Sequence, residues 1–475
     1  MTALWTASEA VIATGAKPVP GAAWAASGVS IDTRAVAAND LFVALKGPRF
    51  DGHDFVTAAL SSGAAAAMVD RPIAGADPAR LLAVPDTMAG LEALAIAARA
   101  RSHAKIVAVT GSVGKTGTKE ALATLLGAQG RTHASTGNLN NQIGMPLSLA
   151  RMPATAEFGV FEIGMNHAGE IAPLSAMLRP HVAIITNVEA VHLEYFADVE
   201  GIADAKAEIF TGLDADGTAI LNRDNPHFVR LTAGAKARGI AKVWGFGEAA
   251  GAEGHLVSVD LESSGSVVRA AILGREVSFR LPLPGRHQVQ NALAVLLAVV
   301  AMGGDLGAAV ASLEGLTPVK GRGVAIDVVI AGGSFRIVDE TYNASPAATR
   351  AALAVLGMTA PAVGGRRLVA LGDMLELGAN GPAEHAGLAE ALIAAKVEQV
   401  FTAGPLMRHL NDALPAAMRG GHAENSTALA PLVAGAARTN DIVLVKGSAG
   451  SQMGAVVVAL RARDNKKLSE DRRAV

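Results

Sequence analysis

Residues Lys105-Ile106-Val107-Ala108-Val109 form a short β-branched run. It leads into Gly111-Ser112-Val113-Gly114-Lys115-Thr116, and an amphipathic helical pattern starts near Thr118. A strand that feeds a glycine loop and then a helix constrains the fold more than any other stretch of this chain. The glycines let backbone N–H groups turn inward on phosphate oxygens, and the helix N-terminus adds a favourable dipole. Lys115 is then placed to reach the β- and γ-phosphates, and the Thr116 hydroxyl to coordinate Mg2+. The general phosphate loop has four residues between its glycines, whereas only Ser112 and Val113 separate Gly111 from Gly114 here. A structural glycine turn is the competing reading, and the flanking strand and helix favour the phosphate loop.

Strand and helix patterns continue to alternate on both sides of this loop. Strands are predicted at residues 41–45, 158–163 and 182–186, and helices at 57–61, 90–101 and 290–302. Such alternation reads as an α/β fold with a parallel sheet covered on both faces. Residues 315–323 (GLTPVKGRG) carry turn formers and few core residues, which places a boundary near Pro318. Beyond it, strand–loop–helix units at 367–372, 399–404 and 441–447 predict a second, Rossmann-like sheet. A length of 475 residues suggests about three domains, drawn at residues 1–104, 105–318 and 319–475. The last dozen residues, DNKKLSEDRRAV, read as a frayed charged tail.

Composition narrows the function classes. With 51% hydrophobic and 18% charged residues the chain can bury several cores. A net charge of −2 leaves no global basic field for a nucleic-acid backbone. The absence of cysteine excludes disulfides, thiolate metal sites and cysteine nucleophiles. The longest clean apolar run, residues 292–302, is well short of the roughly 20 residues a membrane span needs. The N-terminal MTALWTASEAVIATG has no basic region before its apolar residues, so no signal peptide is predicted and a cytoplasmic protein is expected.

A phosphate loop needs metal ligands opposite it. Glu162, closing the predicted strand 158–163, would face a nucleotide cleft, or else cap a neighbouring helix. His192 and Glu194 follow the predicted strand 182–186, and a lone His is more often structural than a ligand. Lys206 sits in a helical pattern and reads blandly as an exposed lysine paired with Asp204 or Glu208.

At this point the residues resemble a known family, the Mur ligases, from about residue 30 to 460. The resemblance rests on segments in the family's order: SIDTRAVAANDLFVALKGPRFDGHDF (30–55), VTGSVGKTGTKE (109–120), STGNLNNQIGMPLSL (135–149), FEIGMNHAGEI (161–171), TNVEAVHLEYF (186–196), AKAEIF (205–210), PGRHQVQNALA (284–294), VDETYNASPAATRAAL (338–353), LGDMLELG (371–378) and LVKGSAGSQM (444–453). It implies an N-terminal UDP-binding domain, a central phosphate-loop ATPase-like domain and a C-terminal Rossmann-like domain. The shortened phosphate loop is the form this family uses.

The resemblance also implies roles. Ser30, Asp32, Thr33 and Arg34 belong to a uridine-diphosphate pocket, and Thr136, Asn138 and Asn141 lie against a muramoyl-peptide substrate. Gly111, Ser112, Val113, Gly114, Lys115 and Thr116 cradle the ATP phosphates. Thr116 and Glu162 hold one Mg2+ and His192 a second. Lys206 matches a lysine that many members carry as a carbamate, an oxygen ligand to that second metal. Asn291 matches the adenine contact, Arg322 the arginine on the γ-phosphate and Asp339 the ribose contact; Lys446 and Ser448 belong to a substrate-facing loop. Lys115, His192, Lys206 and Arg322 form the implied catalytic set.

The segment Asp339-Glu340-Thr341-Tyr342-Asn343-Ala344-Ser345-Pro346 resembles the type that adds D-alanyl-D-alanine to UDP-N-acetylmuramoyl-tripeptide, with Tyr342 and Asn343 facing substrate. Ser345 stands where that type more often has Asn, and a turn before a helix is the bland reading. The sibling that adds diaminopimelate or lysine often carries Asp-Asn-Pro-Arg, which residues 319–475 lack. The expected reaction makes an acyl phosphate with ATP and then an amide, in a monomer, with no general base assigned. Two further readings stand beside it: a folylpolyglutamate synthase, which lacks the UDP-binding domain, and a phosphate-loop nucleotide switch, which leaves residues 30–55 and 339–343 unexplained.

Overall fold

A computed structural model describes residues 3–191 and 193–464, so His192 and the charged tail beyond Asp464 lie outside the described residues. Three main sheets carry the chain. The first has four parallel strands, ordered Gly28–Ser30, Asp40–Val43, Ala66–Val69 and Leu81–Ala83. The second has nine. Its parallel body runs Thr132–Ala134, Phe158–Glu162, Lys105–Thr110, Val182–Ile185, Thr218–Asn222 and Lys242–Gly247. Gly254–Glu262 joins that edge in parallel, and Gly265–Ile272 and Arg275–Leu281 follow as an antiparallel meander. The third has six strands: Val324–Ile330 antiparallel to Gly333–Glu340, then Ile442–Lys446, Arg367–Gly372, Gln399–Ala403 and Arg419–Ala423, all parallel. The α/β class and the mainly parallel central sheet are as expected.

The strand before the phosphate loop shows why this sequence folds so. Ile106 and Ala108 point into one core and Val107 and Val109 into another, and all four are fully buried. A strand buried on both faces reads as an unbroken apolar run, as this one does. Helix Arg286–Ala301 covers one face with Val289, Leu293, Leu296 and Leu297. On the other face lie helices Thr87–Arg101 and Gly144–Ala150, whose Leu91, Leu94, Met145 and Leu149 share a core with the N-terminal sheet. Trp5 Nε1 donates to Ala150 O at 2.9 Å and Arg151 Nε to Val29 O at 2.6 Å, which fastens the N-terminal unit to the central one. The C-terminal sheet keeps cores of its own, with Val369, Leu371 and Leu444 on one face and Leu368, Ala370, Val443 and Val445 on the other.

Helix Thr87–Arg101 starts ahead of the predicted 90–101, and two further helices also start earlier than periodicity predicts. The phosphate-loop helix is Lys115–Gly127, entered through Gly114 at φ +87°, and the long central helix begins at Arg286 after Gly285 at φ +105°. Their first turns are polar because they face a cavity, so an apolar-face pattern does not register them. No helix among the described residues is long and apolar enough to cross a membrane.

Candidate functional site

The chain runs outward from Lys105–Thr110 to the sheet edge, returns through Phe158–Glu162, and then crosses to Val182–Ile185 on the other side. Such a reversal leaves a crevice at the carboxyl ends of the strands. A cavity of about 1100 Å³ opens there, walled by the phosphate loop on one side and the C-terminal sheet on the other.

The loop is built for close backbone approach. Gly111 sits at φ +146°, and a Cβ there would lie 1.9 Å from Thr186 Oγ1. A Cβ on Gly114 would lie 3.0 Å from the Asn291 side-chain amide, so that wall of the cavity presses directly on the loop. Ser112 Oγ donates to Glu189 O at 3.1 Å and accepts from Glu189 N at 2.9 Å, while Thr186 Oγ1 donates to Val113 O at 2.6 Å. The segment after Val182–Ile185 therefore holds the loop's shape. Lys115 Nζ donates to Gly111 O at 2.6 Å and to Ser112 O at 3.4 Å. Burial pushes its pKa down, Glu162 opposes that shift, and Arg322 adds to it.

Thr116 Oγ1 donates to the buried carboxylate of Glu162 at 2.9 Å, and Asn140 Nδ2 donates to the other oxygen at 2.7 Å. Glu162 thus faces the nucleotide loop and caps no helix. Lys206 corrects the bland expectation. It is 1% exposed on helix Val199–Ala207, and burial, then the like charge of Lys115, pushes its pKa far down. Neither expected partner reaches it: Asp204 pairs with Arg230 at 2.6 Å, and Glu208 accepts backbone N–H groups of Gly169, Ile171 and Ala172. The helix turns Lys206 inward, a placement that local spacing cannot reveal.

From the C-terminal side, Arg322 Nη2 donates to Thr116 Oγ1 at 3.1 Å, across the seam between the second and third sheets. Its guanidinium lies 4.2 Å from the centre of the Tyr342 ring. Lys446, 3% exposed at the end of Ile442–Lys446, pairs with Glu340 Oε2 at 3.1 Å and donates to Asn343 O at 3.0 Å. Ser448 Oγ accepts from Leu375 N at 3.0 Å and donates to Ala344 O at 3.3 Å. Tyr342, Asn343, Lys446 and Ser448 all line the cavity with Asn138, Asn141, Glu162, Asn291 and Arg322.

Other expected residues stand apart from this cavity. Ser30, Asp32, Thr33 and Arg34 cluster at the carboxyl end of Gly28–Ser30, where Asp32 accepts from Arg34 N at 3.0 Å and pairs with its largely exposed guanidinium at 2.7 Å. None of the four lines the cavity. Thr136 is exposed on its loop and off the wall. Asp339 is also off the wall; its carboxylate accepts from Thr341 N at 3.1 Å and Thr341 Oγ1 at 2.6 Å. Asn140, Glu189, His287 and Glu340 also lie on the wall, although the sequence alone assigns them no role. Asn140 lies between two residues that were singled out, and the run of asparagines was its signal.

Among the described residues no group of three His, Asp or Glu could by itself hold a metal ion. A hard cation that keeps several waters and shares phosphate oxygens needs only one or two protein oxygens, and Thr116 and Glu162 present such oxygens side by side.

Family models match three consecutive stretches: "Mur ligase family, catalytic domain" at residues 25–122, "Mur ligase middle domain" at 109–299 and "Mur ligase, glutamate ligase domain" at 326–449. The UDP-N-acetylmuramoyl-tripeptide–D-alanyl-D-alanine ligase of Escherichia coli K12 is 37% identical over 436 residues, 91% of this chain and 93% of its own length. A crystal structure of MurF from Acinetobacter baumannii superposes with a TM-score of 0.84 at 30% identity, covering 96% of this chain and 99% of that one. MurF ligase from Thermotoga maritima in complex with ADP superposes at 0.77 with 27% identity, covering 93% and 98%. With a phosphate loop, its carboxylate and an arginine from the segment that enters the facing sheet assembled in one cavity, and with similarity along nine-tenths of its length, the chain belongs to the Mur ligase family.

Proposed function

We propose that this protein is an ATP-dependent ligase that joins D-alanyl-D-alanine to UDP-N-acetylmuramoyl-tripeptide, in the synthesis of peptidoglycan precursors. The observation that carries the reading is the Arg322–Thr116 hydrogen bond. It places a C-terminal cation on the phosphate loop, beside a cavity whose other wall holds Tyr342, Asn343, Lys446 and Ser448.

A carboxylate is a poor electrophile, and phosphoryl transfer from ATP converts the peptide carboxylate into an acyl phosphate. Such transfer depends on positioning and charge neutralisation. Lys115 and Arg322 supply positive charge, and the backbone N–H groups of residues 111–116 hold the phosphates. The dipeptide amine then attacks the acyl carbon, and phosphate leaves. Mg2+, held by Thr116 and Glu162 and by His192 at a second position, would neutralise phosphate charge when bound. Lys206 fits the carbamate assignment: burial favours its neutral amine, which adds CO2 and releases a proton, giving an anionic oxygen donor.

Residues 1–104, 105–318 and 319–475 divide the work as UDP-binding, ATP-binding and amine-binding units. Ser30, Asp32, Thr33 and Arg34 belong to the uridine-diphosphate contact, Thr136, Asn138 and Asn141 to the peptide contact, and Asn291 and Asp339 to adenine and ribose. Because nucleotide groups come from both sides of Pro318, the C-terminal unit closes on substrate. The protein acts as a cytoplasmic monomer. Phosphate release from ATP with UDP-N-acetylmuramoyl-tripeptide tests the reading, with D-alanyl-D-alanine, meso-diaminopimelate or glutamate added in parallel. Release that depends on D-alanyl-D-alanine alone supports it. Release with another amine overturns the roles of Tyr342 and Asn343, and ATP hydrolysis without any peptide favours a nucleotide switch.

A further inference from the structure

Lys119 lies one turn beyond Lys115 on the phosphate-loop helix, and its side chain is fully buried. Nζ donates to Ser135 O at 2.7 Å and to Gly137 O at 3.4 Å, and pairs with Glu120 Oε1 at 2.7 Å. Two backbone carbonyls therefore accept from this ammonium, and the Glu120 carboxylate pairs with its charge. A buried ammonium is expensive to desolvate, and an apolar side chain of the same length would fill the space at lower cost. The lysine is explained by what its acceptors belong to.

Ser135 and Gly137 begin the segment 135–141, which brings Asn138, Asn140 and Asn141 to the cavity wall. The far side of that segment is tied to the strand that ends at Glu162: Glu162 N donates to Ser135 Oγ at 3.2 Å, Asn140 Nδ2 to Glu162 Oε1 at 2.7 Å, and Gly164 N to Asn140 O at 2.8 Å. Its near side is tied to the phosphate-loop helix by Lys119. Lys119 itself does not line the cavity.

We propose that Lys119 is a positioning residue for the muramoyl-peptide substrate: it clamps the 135–141 segment to the helix that carries Lys115 and Thr116, setting the distance between the peptide carboxylate and the ATP phosphates. The proposal rests on the ligase reading for the identity of the peptide. Lys119 acts on the segment's backbone, so its loss lets Asn138 and Asn141 drift while the phosphate loop, held by Ser112, Thr186 and Glu189, keeps its shape.

The test uses the full chain and its K119M, K119R and E120Q variants. Direct binding of UDP-N-acetylmuramoyl-tripeptide and of a non-hydrolysable ATP analogue is measured by calorimetry, beside steady-state KM and kcat. K119M is expected to weaken peptide binding about tenfold or more and to leave the nucleotide affinity within about twofold. K119R, which keeps the charge, is expected to recover part of the loss. A folded K119M with unchanged peptide affinity, or with both affinities lost in parallel, overturns the proposal. Should K119M not fold, E120Q decides: removing the half-exposed partner is expected to weaken peptide binding severalfold, and unchanged binding overturns the clamp. A wild-type protein that binds the peptide but shows no D-alanyl-D-alanine-dependent turnover refutes the ligase reading, and the binding comparison still decides the role of Lys119.

Discussion

Replacing Tyr342 by leucine tests how the C-terminal wall contributes to catalysis. The Arg322 guanidinium has one hydrogen bond across the seam, from Nη2 to Thr116 Oγ1 at 3.1 Å, and its buried Nε has no hydrogen-bond partner. The Tyr342 ring, 4.2 Å below the guanidinium carbon, is thus the main surface that fixes its plane. A cation–π contact contributes about 0.5–1 kcal/mol when exposed and about 2 kcal/mol when desolvated. Tyr342 is 36% exposed, between those limits, which suggests about 1–1.5 kcal/mol. At about 1.4 kcal/mol per tenfold, Y342L should lower kcat/KM for ATP about five- to twelvefold. Y342F keeps the ring and should stay within about twofold of wild type. The assay is ATP-dependent phosphate release at saturating tripeptide and D-alanyl-D-alanine, followed by KM for each substrate. If Y342F loses as much as Y342L, mainly through KM for D-alanyl-D-alanine, Tyr342 acts through its phenol hydroxyl on substrate and not through its ring on Arg322.

Other perturbations separate the remaining roles. K115A should abolish turnover while circular dichroism and the thermal midpoint stay near wild type; retained turnover removes Lys115 from the mechanism. G111A forces a Cβ into Thr186 Oγ1 at φ +146°, and backbone strain of this kind costs about 1–3 kcal/mol. ATP binding should fall, and T186A should restore only part of it, because the strain in φ remains. Bicarbonate-depleted buffer should slow the enzyme and added bicarbonate should restore the rate, with no such response in K206M. In the N-terminal unit, Arg71 and then His53 hold the Asp51 carboxyl well below the usual carboxylate range. A folded pKa depressed in this way stabilises above the unfolded value of about 3.9, and the stabilisation is lost as pH falls below it. Thermal midpoints measured from pH 6 to pH 3 should therefore drop less steeply in D51N than in wild type.

Side chains whose role depends on immediate neighbours were readable in advance. Gly111 and Gly114 adopt the positive φ that a glycine loop implies, and Thr116 and Glu162 meet as the motif and the strand end suggest. Lys206 was not readable locally, because an Asp204–Lys206–Glu208 pattern looks like a solvated helix face until the neighbouring helix takes Asp204 through Arg230. Lys119 gave no signal either, since its acceptors are backbone carbonyls sixteen and eighteen residues away. Asp339 was legible as part of its segment, while its hydrogen bonds from Thr341 N and Oγ1 emerge only from the folded turn.

The α/β alternation, the phosphate loop and the family are legible from the residues alone, because each is written in short-range period, in glycine placement and in motifs kept in order. Long-range packing alone brings Arg322 to Thr116, joins the N-terminal unit and the central sheet in one core while the C-terminal sheet keeps its own, and buries Lys119 and Lys206 among different neighbours. Those outcomes depend on which distant surfaces pack together: both lysines are buried, and they differ in the neighbours they meet, two carbonyls and Glu120 at Lys119 and the like charge of Lys115 at Lys206.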